Sequence, residues 1–280
     1  MKVIILGSGG CQTIPRPCCN CDVCTEARKK GIPYARSGPA IFIDDYNILF
    51  DTPEEVSYQL NREKIKRVDA VFYTHWDPDH TLGMRVFELL NMNWLVRKAE
   101  NNPINIYMPE GVYEDILQLS SKFSPFFEYY AGLGLIKLFK IKFNEPVKVN
   151  GAKITPLKIK RDSNVAVYVI EGDGKRVCYA PCDTYRFPID KKTKNLDLLI
   201  RFTGYFPDVL EDASKDSVIN DMSESFDEVL KEIELLGPKK TVFTHIEEMW
   251  GKTFDDYRKI ERKNKNKKIK FAHDGMKIDL

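Results

Sequence analysis

Long apolar runs are absent from this sequence of 280 residues. No stretch approaches the roughly 18 consecutive apolar residues that a membrane-spanning helix needs. The first residues, MKVIILGSGGC, have the pattern of a strand, with neither a long apolar leader nor a small-residue cleavage site. We therefore expect a cytoplasmic protein that does not interact with membranes. Its seven cysteines are then more typical of metal ligands or buried thiols than of disulfides.

An excess of charge of either sign is also absent. The 43 Lys and Arg residues nearly cancel the 41 Asp and Glu residues, and the net charge is +2. Such a chain creates no global field that would attract nucleic acid, so nucleic acid is not an expected partner. The densest basic run, RKIERKNKNKKIKF at 258–271, is more typical of a solvated lysine-rich surface than of a binding patch. The sequence leaves the oligomeric state open, with a homodimer as one option.

Low-complexity segments and Ser/Gly-rich linkers are absent as well, which favours a single domain over residues 1–280. Strand-like patterns lie at 2–9, 40–45, 46–52, 70–75, 104–109, 153–160, 165–172, 176–183, 197–203, 240–246 and 268–275. Helical patterns lie between them, at 54–64, 81–91, 110–120, 222–236 and 253–262. This alternation predicts an α/β fold. The aromatic segment 121–146 fits either a lid over a cleft or ordinary core.

Histidine is scarce, and its placement is informative. The chain has four histidines, and two of them lie in the hexapeptide HWDPDH, as His75 and His80. Asp77 and Asp79 lie in the same six residues, and Pro78 predicts a loop after the preceding strand. Imidazole nitrogens and carboxylate oxygens are ligands of Zn²⁺, Fe²⁺ and Mn²⁺. Four such residues so close together favour a metal site over a polar turn.

Two further strand-like patterns end in ligand-type residues. RVCYAPCDT ends at Asp183, and KTVFTHI ends at His245. Either residue alone would be unremarkable. Because an α/β sheet gathers the ends of its strands along one edge, we expect both to join the hexapeptide in a site for two divalent metal ions.

These motifs resemble those of the metallo-β-lactamase-fold hydrolases, whose motif is H-x-H-x-D-H. The resemblance extends from LGSGG at 6–10 through ILFDT at 48–52 to HDG at 273–275. It implies a four-layer αββα sandwich with two metal ions (Zn, Mn or Fe) in its cleft. Carried over residue by residue, it places His75 and Asp77 on one metal, with Asp162 nearest to the place of a third ligand. It places Asp79, His80 and His245 on the other metal, with Asp183 bridging the two.

A second motif lies after the first strand. Cys19, Cys21 and Cys24 offer three thiolates within six residues, enough to bind one structural Zn²⁺ with a fourth ligand from elsewhere. The alternative is a reduced cysteine cluster without metal. The arrangement resembles the branch that contains phosphoribosyl cyclic phosphodiesterase and pyrroloquinoline-quinone biosynthesis protein B. That resemblance favours Glu248 as the fourth ligand, with Cys18 and Cys11 as alternatives.

The chain also departs from the family pattern. Asp77 replaces the second histidine of the motif, and no histidine lies near Asp162. Four carboxylates would neutralise two divalent ions, so the site should attract an anion less strongly and should favour Mn²⁺ or Fe²⁺ over Zn²⁺. A one-metal or inactive site is the alternative. Asp221 is the candidate general acid, Asp79 and Asp183 are the other candidate catalytic residues, and His273 is a further residue that could reach the cleft.

Together these features predict a metal-dependent hydrolase, specifically a phosphodiesterase that acts on a small or cyclic nucleotide-like phosphodiester. The alternative is a non-hydrolytic cofactor-biosynthesis or accessory protein that retains the fold and the structural zinc. A tRNA-processing nuclease is less favoured, because no basic insertion is evident.

Overall fold

The computed structural model describes residues 1–159, 164–182, 184–210 and 224–280. The N-terminal half supplies most of the first seven-stranded sheet. Its strands are β1 (Lys2–Gly7), β2 (Ala40–Ile43), β3 (Ile48–Phe50) and β4 (Ala70–Phe72), with a separate hairpin of β5 (Met92–Asn93) and β6 (Lys98–Ala99), and then β7 (Ile104–Pro109) and β8 (Ile136–Ile141). In this sheet β1, β2 and β3 pair antiparallel, whereas β3, β4, β7 and β8 run parallel.

The second seven-stranded sheet repeats this design. Its strands are β9 (Val147–Val149), β10 (Ala152–Lys158), β11 (Ala166–Gly172), β12 (Lys175–Ala180), β13 (Leu198–Phe202), β14 (Thr241–Thr244) and β15 (Ile269–Phe271). The strands from β9 to β12 pair antiparallel, and those from β12 to β15 run parallel. The last strand, β16 (Met276–Asp279), returns to the first sheet beside β1. Each half of the chain therefore forms one antiparallel-then-parallel sheet.

The two sheets share a core of aromatic and aliphatic side chains. Phe50 of the first sheet stacks on Phe72 at a centroid distance of 5.3 Å and contacts the rings of Tyr168 and Tyr179 in the second sheet edge-on. Because side chains alternate across a strand, neighbouring residues of β11 belong to different cores. Tyr168 joins the core between the sheets, and Val167 joins the core on the outer face of the second sheet.

Helices cover both outer faces. They are Asp22–Lys30, Val56–Arg62, Pro78–Thr81, Val86–Asn91, Glu110–Ile116, Phe126–Gly132, Pro207–Leu210, Phe226–Leu236 and Phe254–Lys263, with 3₁₀ turns at Asp44–Tyr46, Leu82–Arg85, Glu248–Trp250 and Lys265–Lys267. Val112 and Phe127 pack into the first core, and Val229 and Tyr257 into the second. The predicted four-layer αββα sandwich is confirmed. Among the described helices, none is both long and apolar enough to cross a bilayer.

The aromatic segment 121–146 contributes to the core. Phe127 and Tyr130 of helix Phe126–Gly132 are buried, and the Phe127 ring contacts Tyr73, two residues before His75. Strand β8 follows and pairs with β7. Phe123 lies outside this packing with 84% of its surface exposed. The helix and β8 are therefore part of the core, as one of the two predictions for this segment stated. Through Phe127 the helix packs against Tyr73, close to the hexapeptide.

The carboxyl ends of four strands carry the ligand-type residues. Asp51 follows β3, His75 lies three residues beyond β4, Cys182 lies two residues beyond β12, and His245 follows β14. In open α/β sheets this is the edge at which ligands bind.

Candidate metal centres

His75 and His80 belong to two different local structures. His75 lies in the extended segment after β4, whereas His80 and Asp79 lie in the short helix Pro78–Thr81. Pro78 occupies the first turn of this helix, where the missing N–H costs nothing and the fixed φ angle suits the helix. The loop expected after the strand is present up to Asp77, but it is wrong for Pro78–Thr81, because a proline can begin a helix as readily as it ends one.

A buried carboxylate orients His80. Asp51 Oδ2 lies 2.9 Å from His80 Nδ1, and the backbone N–H of Thr74 donates to Asp51 Oδ1 at 2.8 Å. The Thr74 hydroxyl lies 2.9 Å from His75 Nδ1. These outer partners bind the Nδ1 atom of both rings, so each histidine presents Nε2 as its remaining nitrogen. Asp51 has a φ of +61°, a left-handed conformation that is uncommon for a non-glycine residue.

The first cluster of ligand atoms comes from Asp79, His80 and His245, one atom from each within 4.8 Å of the others. Asp79 Oδ2 lies 3.4 Å from His80 Nε2 and 3.3 Å from His245 Nε2. His245 also has a positive φ, +55°, and its Nδ1 lies 2.9 Å from Glu247 Oε1. Glu247 is thus an ion-pair partner of His245, but the contact lacks hydrogen-bond geometry, and His245 Nδ1 has no hydrogen-bond partner among the described residues.

The second cluster is formed by His75, His80 and Cys182, again within 4.8 Å of one another. Asp77 lies beside it, with Oδ2 3.3 Å from His75 Nε2 and 39% of its side chain exposed. His80 thus belongs to both clusters. The two groups of atoms form one continuous site at the carboxyl edge of the sheets.

The buried polar atoms of this site fit a cation. His75 Nε2, His80 Nε2, His245 Nε2 and Asp79 Oδ2 are all buried and have no hydrogen-bond partner among the described residues. Leaving even one such atom unsatisfied costs about 1–3 kcal/mol. Four orphaned atoms that converge on one region are explained together if they coordinate metal ions, since a cation takes the lone pair of every one of them.

The charges of the site are tightly coupled. Burial opposes a charge on His75, but the neighbouring Asp77 and Cys182 outweigh it and raise the pKa of His75 well above its usual value. Burial alone would raise the pKa of Asp79, yet His245 and His80 hold it below its usual range. For Cys182, the pull of the three histidines exceeds the effect of burial and lowers its pKa to about 5. Metal binding would replace the protons that these pairs share.

Three of the predicted site residues lie outside the described residues. They are Asp162, Asp183 and Asp221, in the segments 160–163, 183 and 211–223. The roles predicted for them stay predictions. His273 is described, and it contacts Phe254 and the carbonyl of Asp274 rather than either cluster.

The cysteine loop forms a separate cluster of four ligand atoms from Cys19, Cys21, Cys24 and Glu248. Glu248 Oε1 lies 2.8 Å from Cys21 Sγ, 3.5 Å from Cys19 Sγ and 3.6 Å from Cys24 Sγ. Of the three candidates for the fourth ligand, Glu248 is therefore the one that the fold brings to the thiols. Cys11 instead lies 3.4 Å from Glu247 Oε2, and Cys18 is exposed.

The three thiols of the loop differ in acidity. Cys21 is the N-cap of helix Asp22–Lys30 and accepts from the Cys24 backbone N–H at 3.4 Å, but burial and the neighbouring Glu248 raise the pKa of Cys21 to about 12. Burial also raises the pKa of Cys24. Arg16 donates to Cys19 Sγ at 3.5 Å and is the main reason that the pKa of Cys19 is lowered to about 7. A thiolate is the form that binds zinc.

A pocket of about 290 Å³ lies between the two centres. Asp79 opens into it from the cleft and Arg16 from the cysteine loop, and Glu54 and Glu55 also line it. The pocket is therefore more acidic than basic without bound metal. Its walls are completed by Gly10, Cys11, Gln12, Thr13, Pro17 and Gly38.

Sequence reasoning missed three residues of the site, namely Asp51, Cys182 and Glu247. Asp51 had a usable signal, since it ends the strand pattern ILFDT in the same way that His75 ends its own. Cys182 was passed over in favour of its neighbour Asp183, although both follow β12. Glu247 carried no signal of its own, because its role depends on the turn that brings it back to His245.

The sequence is similar to those of several known proteins. The chain is 28% identical over 163 residues to an octanoyltransferase of Porphyromonas gingivalis, 26% over 200 residues to coenzyme PQQ synthesis protein B of Rhizobium meliloti, and 27% over 187 residues to ribonuclease Z of Thermococcus gammatolerans. These matches cover 57%, 65% and 65% of this chain. The chain spans only 30%, 64% and 50% of the length of these curated relatives.

Solved structures share the whole fold. A diphosphatase from the PhnP family has a TM-score of 0.75 at 23% identity, over 100% of this chain and 98% of that one. Zn²⁺-bound PqqB from Methylobacterium extorquens has a TM-score of 0.76 at 19% identity, over 100% of both chains. The family model described as "Beta-lactamase superfamily domain" matches residues 46–246, from the turn before β3 to the residue after His245. The predicted resemblance is thus confirmed, and the chain belongs to the beta-lactamase superfamily, with a metallo-β-lactamase fold.

Proposed function

We propose that the protein is a metal-dependent hydrolase whose substrate is a small phosphodiester. The observation that carries this proposal is the convergence of four buried ligand atoms, from His75, Asp79, His80 and His245, beside an open pocket; none of the four has a hydrogen-bond partner among the described residues. A site built only for stability would close its coordination with protein atoms, whereas a catalytic metal site leaves a position for substrate or water.

The residues divide between two ions. Asp79, His80 and His245 would hold one ion, His75 and Asp77 would contribute to the other, and Asp183 is expected to bridge them. Bound divalent ions supply Lewis-acid polarisation of a phosphoryl oxygen and activation of water. The chain's own contribution is orientation: Asp51 holds the ring of His80 through a hydrogen bond, and Glu247 pairs with His245. Asp221 stays the candidate general acid.

The pocket favours a small substrate. Its volume of about 290 Å³ is at the lower end for ligand sites. Arg16, 45% exposed at the pocket wall, can pair with a phosphate oxygen. The three carboxylates that share the pocket would repel an anion, so we expect substrate to bind only after the cleft has taken up its metal ions.

The similarities to known proteins include both a phosphatase and ribonucleases, so the choice between a small phosphate ester and RNA rests on the position of the basic surface. One similar structure is a diphosphatase and one relative is a ribonuclease. The basic pocket of about 500 Å³ that includes Lys239, Lys240 and Arg262 lies far from the cleft. Lys240 precedes β14 and His245 follows it, so the two lie at opposite ends of this strand. RNA bound along these lysines would not be directed into the cleft.

A non-hydrolytic accessory role is the second candidate. It is favoured by Asp77, which occupies the place of a family histidine, and by the similarity to a PQQ synthesis protein over 64% of that protein's length. In either case, we propose that Cys19, Cys21, Cys24 and Glu248 hold one structural Zn²⁺, because a closed set of four ligands is typical of structural zinc.

A substrate panel separates the two candidates. Metal-loaded protein would be assayed with bis-p-nitrophenyl phosphate, a cyclic nucleotide, a nucleoside diphosphate ester and a structured RNA, each with Zn²⁺, Mn²⁺ and Fe²⁺. The matched control is His80→Ala, which loses the ligand common to both clusters. Turnover of a small phosphodiester by wild type alone supports the hydrolase. Equal rates for wild type and His80→Ala across the panel would favour the accessory role.

A further inference from the structure

Cys182 is the one thiol of the cleft clusters in the described part of the chain. It lies just beyond β12, opposite the hexapeptide, and its sulfur is within 4.8 Å of ligand nitrogens of both His75 and His80. Cys178, four residues earlier, is buried instead among the apolar side chains on the outer face of the second sheet. The two thiols of this strand region therefore face entirely different surroundings.

The hydrogen bonds of His75 and His80 indicate which ring nitrogen is available to the site. Thr74 engages Nδ1 of His75 and Asp51 engages Nδ1 of His80, so each ring offers its Nε2. Both Nε2 atoms are buried without a hydrogen-bond partner among the described residues. Two imidazole nitrogens and a sulfur that converge in this way form three corners of a tetrahedral zinc site, and Asp77, 3.3 Å from His75 Nε2, can form the fourth.

Because His80 belongs to both clusters, the Cys182 sulfur is needed to complete the set of donors that the described residues offer to the His75 ion. A single Nε2 can bind one ion, yet His80 Nε2 lies in both clusters. If His80 binds the ion held by Asp79 and His245, the ion at His75 has only Asp77 and Cys182 as further described donors. If His80 binds the ion at His75, Cys182 is again the third donor. Among the described residues, either allocation therefore includes Cys182 as a donor to the His75 ion, alongside the bridge expected from Asp183.

We propose that Cys182, as a thiolate, is a ligand of the cleft metal ion bound by His75. This assignment rests on the proposed function in that it takes the cleft to be a metal site, but it does not require hydrolysis. Thiolates select Zn²⁺ over Mn²⁺, the opposite of the preference predicted from Asp77 and Asp162. On this assignment the cleft is a zinc site with mixed nitrogen, oxygen and sulfur ligands.

Cobalt substitution tests the assignment directly, because each cobalt–sulfur bond adds to a near-ultraviolet charge-transfer band. With every site loaded, wild type should have three such bonds in the cysteine loop and one in the cleft. Cys182→Ala should therefore lose about a quarter of the band, and Cys178→Ala, the matched control, should lose none. Zinc competition should show that Cys182→Ala also weakens cleft affinity by at least roughly 10–100-fold, the loss typical of removing even an outer partner.

The variant Cys182→Asp distinguishes loss of the metal–sulfur bond from a folding defect. Cys182→Asp keeps a donor atom, so its cobalt content should stay at the wild-type value while a quarter of the band disappears. A full wild-type band in both Cys182 variants, with cleft cobalt still bound, would overturn the assignment. The band reports bonding rather than turnover. Wild-type protein could therefore prove inactive while its charge-transfer band still falls when Cys182 is replaced. That result would refute the proposed hydrolase activity and support Cys182 as a metal ligand.

Discussion

The cysteine loop and the cleft obtain their ligands in opposite ways. Three of the four ligands in the loop lie within six residues, and only Glu248 comes from far along the chain. The cleft gathers His75, Cys182 and His245, together with Asp51, the outer partner of His80, from the ends of four strands. The loop needs little more than its own sequence and one carboxylate, whereas the cleft exists only once both sheets have formed.

The two centres also differ in how complete they are. The thiols of the loop already contact Glu248, which closes a set of four. Among the described residues, the cleft keeps five buried ligand-type atoms without a hydrogen-bond partner, beside a pocket. Closed coordination is typical of structural metal sites and open coordination of catalytic ones. On the proposed function, the loop therefore has a structural role and the cleft a chemical one.

Two adjacent residues join the centres. Glu248 contacts the thiols, and Glu247 contacts His245 Nδ1 in the cleft and the backbone N–H of Cys11. Both carboxylates lie at the start of the turn Glu248–Trp250 that follows His245. One short segment thus carries an outer partner of the cleft and a ligand of the loop.

The largest expected effect is on turnover, and it comes from removing two ligands of the cleft while leaving the cysteine loop intact. In the double variant His75→Ala/His80→Ala, turnover of any true substrate should fall by about 1,000-fold, since metal ions supply several kcal/mol of transition-state stabilisation. Elemental analysis should still find about one zinc per chain, because the thiolate site shares neither histidine. Loss of all zinc from a folded double variant would show that the two sites are not independent.

Asp183 should be nearly as important, on the strength of the family resemblance. Asp183→Ala should lower kcat by several orders of magnitude, because a bridging carboxylate holds two ions about 3.5–4 Å apart. Asp183→Asn should be almost as damaging, since an amide does not offset the charge of two ions. Both variants should keep the zinc of the cysteine loop. Wild-type kcat in Asp183→Ala would exclude a bridging role.

Removal of the loop metal should affect stability more than chemistry. Cys21→Ser removes the sulfur closest to Glu248 and should cost about 4 kcal/mol, a size typical of losing a metal site. At roughly 2–4 °C per kcal/mol, the Tm should fall by about 8–16 °C. Calorimetry checks this change, with Cys18→Ser, at an exposed thiol outside the set of four, as the control. An unchanged Tm, with zinc lost, would leave the loop without a structural role.

The adjacent glutamates offer the sharpest comparison. Glu247→Gln should weaken metal binding in the cleft by about 10–100-fold, because the carboxylate pairs with His245 and increases its basicity. Glu248→Gln should instead weaken the loop site and leave the cleft affinity unchanged. Metal titration of both variants checks this pair. The same loss at the same site in both would show that the segment acts as one structural unit.

The smallest effect concerns metal choice. Asp77 lies beside His75 and is partly exposed, so it should adjust the cleft metal rather than determine binding. Asp77→His adds a nitrogen donor and should move the ranking of metals, measured by thermal shift, further toward Zn²⁺. An unchanged ranking would indicate that Asp77 is not a ligand.

The sequence predicted the parts that depend on local pattern. Buried strands such as β3 and β4 and the helix Phe226–Leu236 were evident from apolar periodicity, although 211–223 lie outside the described residues. The helices Asp22–Lys30 and Phe126–Gly132 were not predicted, the first because its mean character is strongly polar and the second because its aromatic run also fits a strand. Asp51, Cys182 and Glu247 were missed because their roles come from contacts across the fold, which spacing alone does not reveal.

The central claim is that activity depends on metal in the cleft and not on metal in the cysteine loop. Controlled chelation tests it most directly: metal would be removed stepwise while bound zinc and hydrolysis of bis-p-nitrophenyl phosphate are followed on the same sample. Activity should vanish while about one zinc per chain remains, and it should return when metal is added back to wild type but not to His80→Ala. Activity that persists until the last zinc leaves, or that is absent from fully loaded protein, would contradict the account.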